Sequence, residues 1–161
     1  MELLEQRILH DGTHIGTEIV KVDSFLNHQL DIRLFNELGK EIRRRFADVE
    51  VNKILTIESS GIGVAAIASI YFDYIPVVFA KKTSPNTMTE EFYGAPVKSF
   101  TKGTVSIARV AKQYLSAADK VLIIDDFMAH GEAAAALANL VEQAGGTVCG
   151  ISAVVEKEFQ G

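Results

Sequence analysis

The sequence lacks the features that build disulfide frameworks, membrane spans or nucleic-acid surfaces. Its 161 residues include one cysteine, Cys149, so no disulfide can form within the chain. No apolar run reaches the length of a membrane span, and the N-terminus lacks the apolar core of a signal peptide. The longest basic run is Arg43-Arg44-Arg45 and the net charge is −5, which argues against a nucleic-acid or membrane surface. We therefore expect a cytoplasmic protein in which Cys149 is a small buried apolar residue.

Proline is also scarce, with three residues, while 48% of the chain is hydrophobic and 23% is charged. This is the composition of an ordinary globular domain. A chain of this length buries about 68–70% of the surface of its unfolded state without disulfides or metals. We therefore expect residues 1–161 to form a single domain.

The most informative stretch, residues 120–146, begins with an apolar run and a pair of acids. Residues 121–124 are all apolar, which is typical of a parallel strand buried on both faces. Asp125 and Asp126 follow at its carboxyl end, where open α/β sheets bind their ligands. Carboxylates repel phosphate, so the pair is suited to sugar hydroxyls or a divalent metal. The alternative is that the two acids cap a helix or face solvent.

The same stretch continues into a turn and a helix. A turn containing Gly131 precedes residues 132–144, whose alanines and leucines predict a helix that Gly145 closes. The first N–H groups of a helix have no partner within it, and its dipole favours an anion at that end. The turn and helix therefore predict a phosphate site.

A second strand-to-helix turn occurs earlier in the chain. Lys53–Ile57 predicts a parallel strand and residues 61–72 a helix; the turn between them consists of Glu58, Ser59, Ser60 and Gly61. A single turn of this kind is often only a helix cap, but two on neighbouring strands suit the two ends of a doubly phosphorylated sugar. A further strand over residues 75–80 brings Lys81 and Lys82 to the same edge.

The remaining segments complete an alternating pattern of strands and helices. A helix that begins at the N-cap Asp31 has apolar residues three or four positions apart, namely Ile32, Phe35, Leu38, Ile42 and Phe46. The other predicted elements are a helix over 1–10, an irregular or extended segment over 15–30, a loop over 83–94, a hairpin with strands 95–101 and 104–110, a short helix over 111–118 and a strand over 147–155. This pattern predicts an α/β domain with a central parallel sheet flanked by helices.

Three stretches carry a resemblance to a known family. The run Ile-Ile-Asp-Asp-Phe-Met-Ala-His-Gly-Glu-Ala, residues 123–133, resembles the phosphoribosyl pyrophosphate motif of type I phosphoribosyltransferases. Together with Lys21-Val-Asp-Ser-Phe-Leu-Asn-His-Gln29 and Thr56-Ile-Glu-Ser-Ser-Gly-Ile62, it is most similar to the bacterial xanthine phosphoribosyltransferases. The resemblance extends over the whole chain. It implies the type I phosphoribosyltransferase fold, with a hood built from N-terminal and C-terminal segments and a hairpin arm that closes over the reaction centre.

The resemblance also implies an activity, which is transfer of 5-phosphoribosyl from phosphoribosyl pyrophosphate to a nitrogen of xanthine, with release of pyrophosphate. It implies Mg²⁺ that is held mainly by the substrate, with no direct metal ligand in the chain. Asp125 and Asp126 are the implied catalytic residues, and a cis peptide is implied between Glu58 and Ser59. The implied residues that bind phosphoribosyl pyrophosphate are Ala129, His130, Gly131, Glu132, Ala133, Glu58, Ser59, Ser60, Gly61, Lys81 and Lys82.

Recognition of the base is likewise implied by the resemblance, at Val20, Asn27 and Lys157. Without the resemblance, Asn27 would be assigned to a capped turn, and Lys157 is as well explained as an ordinary charge at a strand end. The chain ends before its relatives in this branch do, so we expect it to lack the C-terminal part of the hood. A homodimer is expected from the family alone.

Three other functions are compatible with parts of the sequence. A regulatory protein of the same fold would sense phosphoribosyl pyrophosphate without transferring it. A receiver-type signalling domain also has paired acids, but these normally follow the first strand, whereas Asp125 and Asp126 lie late in the chain. A dinucleotide-binding domain is disfavoured because no Gly-x-Gly-x-x-Gly follows a strand.

Overall fold

The computed structural model describes residues 3, 13–15, 19–21, 26, 28–82, 91–99, 103–128 and 131–156. Within these ranges the strands are β1 (Thr13–Ile15), β2 (Ile19–Lys21), β3 (Lys53–Ile57), β4 (Val77–Ala80), β5 (Phe92–Ser99), β6 (Thr104–Ala111), β7 (Lys120–Met128) and β8 (Thr147–Glu156). The helices are α1 (Ile32–Arg45), α2 (Gly61–Ile70) and α3 (Glu132–Ala144), with a 3-10 turn at Lys112–Tyr114.

A four-stranded parallel sheet lies at the centre, in the order β4-β3-β7-β8. Each connection between its strands passes through a helix or a longer excursion, as parallel pairing requires. Because successive side chains of a strand point to opposite faces, Ile54 and Leu55 enter two different cores. The predicted α/β class, with a parallel sheet flanked by helices, is confirmed.

Two apolar layers cover the sheet. On one face α1 and α2 pack against β3 and β7, and the buried residues include Phe35, Leu38, Ile54, Val64, Leu122 and Ile124. On the other face α3 and the β5–β6 hairpin pack against the same strands, through residues that include Leu55, Ile123, Leu137, Leu140, Ala95 and Ala108. Both faces of β3 and β7 are therefore buried, which explains why their sequences are almost continuously apolar.

The predicted helix ends at Asp31 and Gly145 are confirmed. The Asp31 Oδ1 accepts a hydrogen bond of 3.1 Å from the Leu34 N–H, as an N-cap does. Gly145 closes α3 in the left-handed region, with φ of 79°. Ile32, however, is 57% exposed, because the first turn of α1 extends beyond the sheet-facing part of the helix that begins near Leu34.

The predicted hairpin is also confirmed, but it is longer than the sequence indicated. Antiparallel pairing runs from Phe92↔Ala111 to Ser99↔Thr104, so part of the predicted loop is strand. The predicted helix over residues 111–118 is wrong: Lys112–Tyr114 forms a single 3-10 turn and no α-helix follows. Ala111 is extended as the last residue of β6, and the Lys112 N–H bonds to the Glu91 carbonyl at 3.0 Å, so hairpin pairing continues into the start of the predicted helix.

The other expectations differ from the structure by small amounts. Helix α2 ends at Ile70 and strand β4 begins at Val77, each two residues inside the predicted bounds. The segment 15–30 contains β2, which pairs with β1, while the predicted helix over 1–10 lies outside the described residues except for position 3. Cys149 lies on β8 and is only half-buried. No helix in the described ranges combines the length and apolarity that crossing a membrane requires.

Candidate active site

Three strands of the central sheet end at one edge and deliver polar residues there. Strands β3 and β4 run in register up to the pair Ile57↔Ala80, so the turn after β3 and the lysines after β4 lie side by side. The β3–β7 pairing ends at Leu55↔Ile123, two residues before Asp125. The parallel register therefore brings the turn after β3, the lysines after β4 and the acid pair on β7 to the carboxyl edge of the sheet.

The acid pair lies on β7 just where β3 leaves the sheet. Asp125 and Asp126 are 7% and 6% exposed, which contradicts the alternative that they face solvent. The Asp126 N–H donates a 2.8 Å hydrogen bond to Asp125 Oδ1. Burial is the largest cause that raises the pKa of Asp125 to about 7, and the carboxyl of Asp126 adds to the rise. The Asp126 N–H and the charge of Lys82 lower this pKa, but by less. Two buried carboxyls beside each other suit hydroxyl groups that donate hydrogen bonds.

The turn after β3 places the beginning of α2 against the acid pair. The peptide between Glu58 and Ser59 is cis, as the resemblance implied. Ser60 is the N-cap of α2 but its side chain makes no capping hydrogen bond, which leaves the first N–H groups of the helix without that partner. The helix N-terminus is thus suited to an anion, as the sequence predicted.

The side chain of Glu58 has a different contact from the one expected for a residue that binds an anion. Its Oε1 accepts a 2.5 Å hydrogen bond from the Lys82 N–H, and its own N–H bonds to the Ala80 carbonyl at 3.0 Å. These two bonds fasten the turn to the end of β4. Glu58 therefore positions Lys82 and the turn, and its carboxylate is occupied by the backbone.

The N-terminus of α3 is the second position at this edge that suits an anion. Gly131 precedes it with φ of 74°, in the left-handed region that glycine adopts without strain. Its N-cap Gly131 makes no side-chain capping hydrogen bond, and the first residues of the helix, Glu132 and Ala133, are half-buried. A turn that follows the acid pair and opens a 13-residue helix agrees with the predicted phosphate site.

Lys81 and Lys82 are exposed beside the turn after β3, and the hairpin fixes the first of them. Lys81 and Arg109 exchange two backbone hydrogen bonds of 2.9 Å, which join the end of β4 to β6. Among the residues that the structure describes, neither lysine forms an ion pair with a carboxylate. The edge thus combines two available cations with two helix N-termini, which is an environment for an anion.

The sequence predicted no role for two residues that lie at this edge, Thr56 and Arg109. Arg109 lies far from Lys81 in sequence, and only the hairpin brings them together. Thr56 is fully buried beside Gly61 and Asp125. The available signal for Thr56 was a hydroxyl within the otherwise apolar end of β3, but threonine is common in strands and carries little information there.

The acid pair fits a magnesium ion that is held mainly by a substrate. In the described part of the chain no three His, Cys, Asp or Glu side chains gather into a metal site. Asp125 and Asp126 offer hard oxygen atoms, and Mg²⁺ is commonly held by one or two carboxylates together with phosphate oxygens and water. The resemblance implied a metal held mainly by the substrate, with no direct ligand in the chain, so the role of the acid pair lies with the ribose hydroxyls.

Several predicted residues lie beyond what the structure describes. Ala129 and His130 of the phosphate turn, and Asn27 and Lys157 of the base site, fall outside the described residues. Val20 lies on β2, for which only the backbone is described. The structure therefore brings together the acid pair, both helix N-termini and the two lysines, and leaves the base site a prediction.

Comparison with known proteins identifies the family. The phosphoribosyl transferase domain family matches residues 21–159. The xanthine phosphoribosyltransferase of Ruminiclostridium cellulolyticum is 56% identical over 160 residues, which cover 99% of this chain and 84% of the relative. The enzyme of the same name from Clostridium novyi is 55% identical with the same coverage.

Solved structures give the same fold at lower sequence identity. Adenine phosphoribosyltransferase from Saccharomyces cerevisiae, complexed with an imino-altritol bisphosphate and adenine, superposes with a TM-score of 0.77 at 20% identity, covering 98% of this chain and 90% of that one. The Trypanosoma brucei enzyme, in complex with AMP, pyrophosphate and ribose-5-phosphate, gives 0.78 at 14% identity and covers 95% and 67%. The chain belongs to the phosphoribosyltransferase family and, within it, to the branch of the xanthine phosphoribosyltransferases.

Proposed function

We propose that this chain transfers the 5-phosphoribosyl group of phosphoribosyl pyrophosphate to a ring nitrogen of xanthine. The bond from C1′ of the ribose to the pyrophosphate oxygen breaks, a bond from C1′ to the nitrogen forms, and the nitrogen loses its proton. The observation that carries the proposal is the meeting of a buried acid pair with two uncapped helix N-termini at one sheet edge. The names of the relatives at 55–56% identity support the choice of xanthine.

Each part of the edge has a role in this reaction. The N-terminus of α3 holds the 5-phosphate, while the turn after β3, the N-terminus of α2 and Lys81 and Lys82 hold the pyrophosphate. The ribose then lies between the two anion sites, above Asp125 and Asp126. This order follows from the chemistry of the donor, whose ribose separates its two phosphate groups.

The acid pair orients the ribose and stabilises the charge that develops on it. Departure of pyrophosphate leaves positive charge on the sugar ring, and buried carboxylates close to the hydroxyls stabilise that charge where little water screens it. Magnesium, when bound to the donor, supplies positive charge to the leaving pyrophosphate. The chain needs no nucleophile, because holding the two substrates in line accounts for a large part of the barrier.

The finer features of the family remain predictions for this chain. We propose that Val20, Asn27 and Lys157 contact the base, that Ala129 and His130 complete the phosphate turn, and that the active form is a homodimer in the cytoplasm. Removal of the Lys157 charge should weaken selection among purine bases more than it weakens binding of the donor.

The proposed function is tested by the release of pyrophosphate. Xanthine, guanine and hypoxanthine are supplied in parallel with magnesium and phosphoribosyl pyrophosphate. We expect turnover with preference for xanthine, and a loss of about ten-fold or more in Lys82→Ala, because a charge-assisted contact to pyrophosphate is removed. Lys40→Ala, which alters an exposed lysine on α1, is the matched control. Binding of the donor without turnover on any base would instead indicate a sensor and overturn the proposal.

A further inference from the structure

One buried hydroxyl in the described part of the chain has no hydrogen-bond partner. Thr56 is 0% exposed, and among the residues that the structure describes its Oγ1 is the buried side-chain atom left unbonded. Buried polar groups in folded proteins nearly always have a partner, since an unpaired one lowers stability. An unpaired hydroxyl at the edge of a ligand site therefore indicates a bond that forms in another state of the protein.

The hydroxyl of Thr56 points at the beginning of α2. A Cβ placed on Gly61 would come within 2.3 Å of Thr56 Oγ1 and 3.2 Å of Asp125 Oδ1. Both oxygens thus lie within 3.2 Å of one position above the Cα of Gly61. Only glycine fits here, because any side chain would overlap the hydroxyl, so the hydroxyl and the carboxylate both lie against Gly61 at the N-terminus of the helix.

The Asp125 carboxylate is short of hydrogen-bond donors. Within the described ranges, the charged groups that act on Asp125 are Asp126, on the same strand, and Lys82, at the end of β4. Its Oδ1 receives the Asp126 N–H at 2.8 Å, while burial and the neighbouring acid raise its pKa. The Thr56 hydroxyl is a donor that needs no further desolvation, because it is already buried.

We propose that Thr56 is a positioning residue of the reaction, whose hydroxyl donates a hydrogen bond to the Asp125 carboxylate when the ribosyl donor occupies the site. This inference rests on the proposed function and adds to it a residue that acts through the acid pair. Pyrophosphate at the N-terminus of α2 brings the Thr56 hydroxyl and the Asp125 carboxylate, which both lie against Gly61, into hydrogen-bonding geometry. The bond then fixes the carboxylate in the direction of the ribose hydroxyls, and one side chain connects the pyrophosphate turn with the acid pair.

The test compares Thr56→Val with Thr56→Ser. Valine keeps the shape of threonine and removes the hydroxyl, whereas serine keeps the hydroxyl. In Thr56→Val we expect kcat/KM for the ribosyl donor to fall about ten-fold, the worth of one hydrogen bond to a charged group. The acidic limb of its pH profile should move to higher pH, because the ionised Asp125 has lost a donor. Thr56→Ser should retain the wild-type profile and most of the rate.

A purely structural role is excluded by the melting temperature. Because valine removes an unpaired buried hydroxyl, the Tm of unliganded Thr56→Val should equal or exceed that of the wild type. A wild-type rate and profile in Thr56→Val, the same defect in Thr56→Ser, or a fall in Tm that parallels the fall in rate would each overturn the inference alone. A wild-type chain without turnover would overturn the proposed function and this inference with it.

Discussion

Replacement of Asp125 by asparagine should stabilise the unliganded protein at neutral and alkaline pH. The pKa of Asp125 is raised from 3.8 to about 7, first by burial and then by Asp126. A carboxyl whose pKa is raised by folding holds its proton more tightly in the native state than in the unfolded chain. The stability of the native state must therefore fall as pH rises from about 4 to about 7, and it stays lower above that range. Asparagine cannot ionise and removes this loss.

The size of the effect follows from the shift. Each unit of pKa corresponds to about 1.4 kcal/mol, so Asp125 titrating alone would lose about 4 kcal/mol across this range. Because Asp125 and Asp126 titrate as a pair, part of this loss belongs to the pair and remains when one member is replaced. We expect Asp125→Asn to unfold with a free energy about 2 kcal/mol higher than the wild type at about pH 8. Its Oδ1 can still accept the Asp126 N–H bond.

Urea denaturation at about pH 4 and about pH 8 measures this difference directly. Asp48→Asn is the matched control, because Asp48 is exposed in the turn after α1 and should show no pH-dependent gain. The wild type and Asp125→Asn should have nearly equal free energies of unfolding at the lower pH. If Asp125→Asn is less stable than the wild type at about pH 8, or if its gain is the same at both pH values, the explanation by burial of a charge is wrong.

Three further predictions concern stability and are measured by the same denaturation. Gly61→Ala should lower the free energy of unfolding by about 1–3 kcal/mol, because the new Cβ would overlap Thr56 Oγ1. Adding Thr56→Ala removes that oxygen, so the double variant should recover part of the loss. Additive effects of the two changes would contradict this contact. Asp31→Ala should cost about 1 kcal/mol through loss of the α1 N-cap, and an unchanged midpoint would mean that solvent replaces the cap. Asp119→Ala should lower the free energy of unfolding by about 3 kcal/mol, because Lys53 loses the carboxylate that lies 2.9 Å away at a largely buried site. A loss below about 1 kcal/mol would show that water replaces the carboxylate as a partner of Lys53.

Much of the fold was predictable because its signals are local. The apolar run 121–124 and Lys53–Ile57 have the pattern and length of buried strands in a covered sheet, and Gly145 ends a helix by its own backbone preference. The carboxyl edge followed from these elements, since parallel strands end together. The resemblance then assigned roles to residues that the pattern had already brought to that edge.

The parts that could not be predicted depend on contacts between distant segments. Residues 111–118 have no strong local preference, and pairing with β5 extends β6 to Ala111. The hydrogen bond from the Lys82 N–H to the Glu58 side chain depends on the register of β3 against β4, which no local pattern reports. The approach of Thr56 and Asp125 to Gly61 arises from the close packing of α2 on two strands, so it is a property of packing and not of spacing in the sequence.

Calorimetric titration of phosphoribosyl pyrophosphate with magnesium tests the central claim, that the carboxyl edge of this sheet binds the ribosyl donor through its acid pair. The comparison uses the wild type, Asp126→Asn and the surface control Asp48→Asn. The account predicts that the wild type and Asp48→Asn bind the donor alike, while Asp126→Asn binds about ten-fold or more weakly because a buried acceptor of ribose hydroxyls has lost its charge. Equal affinity in all three proteins would contradict it.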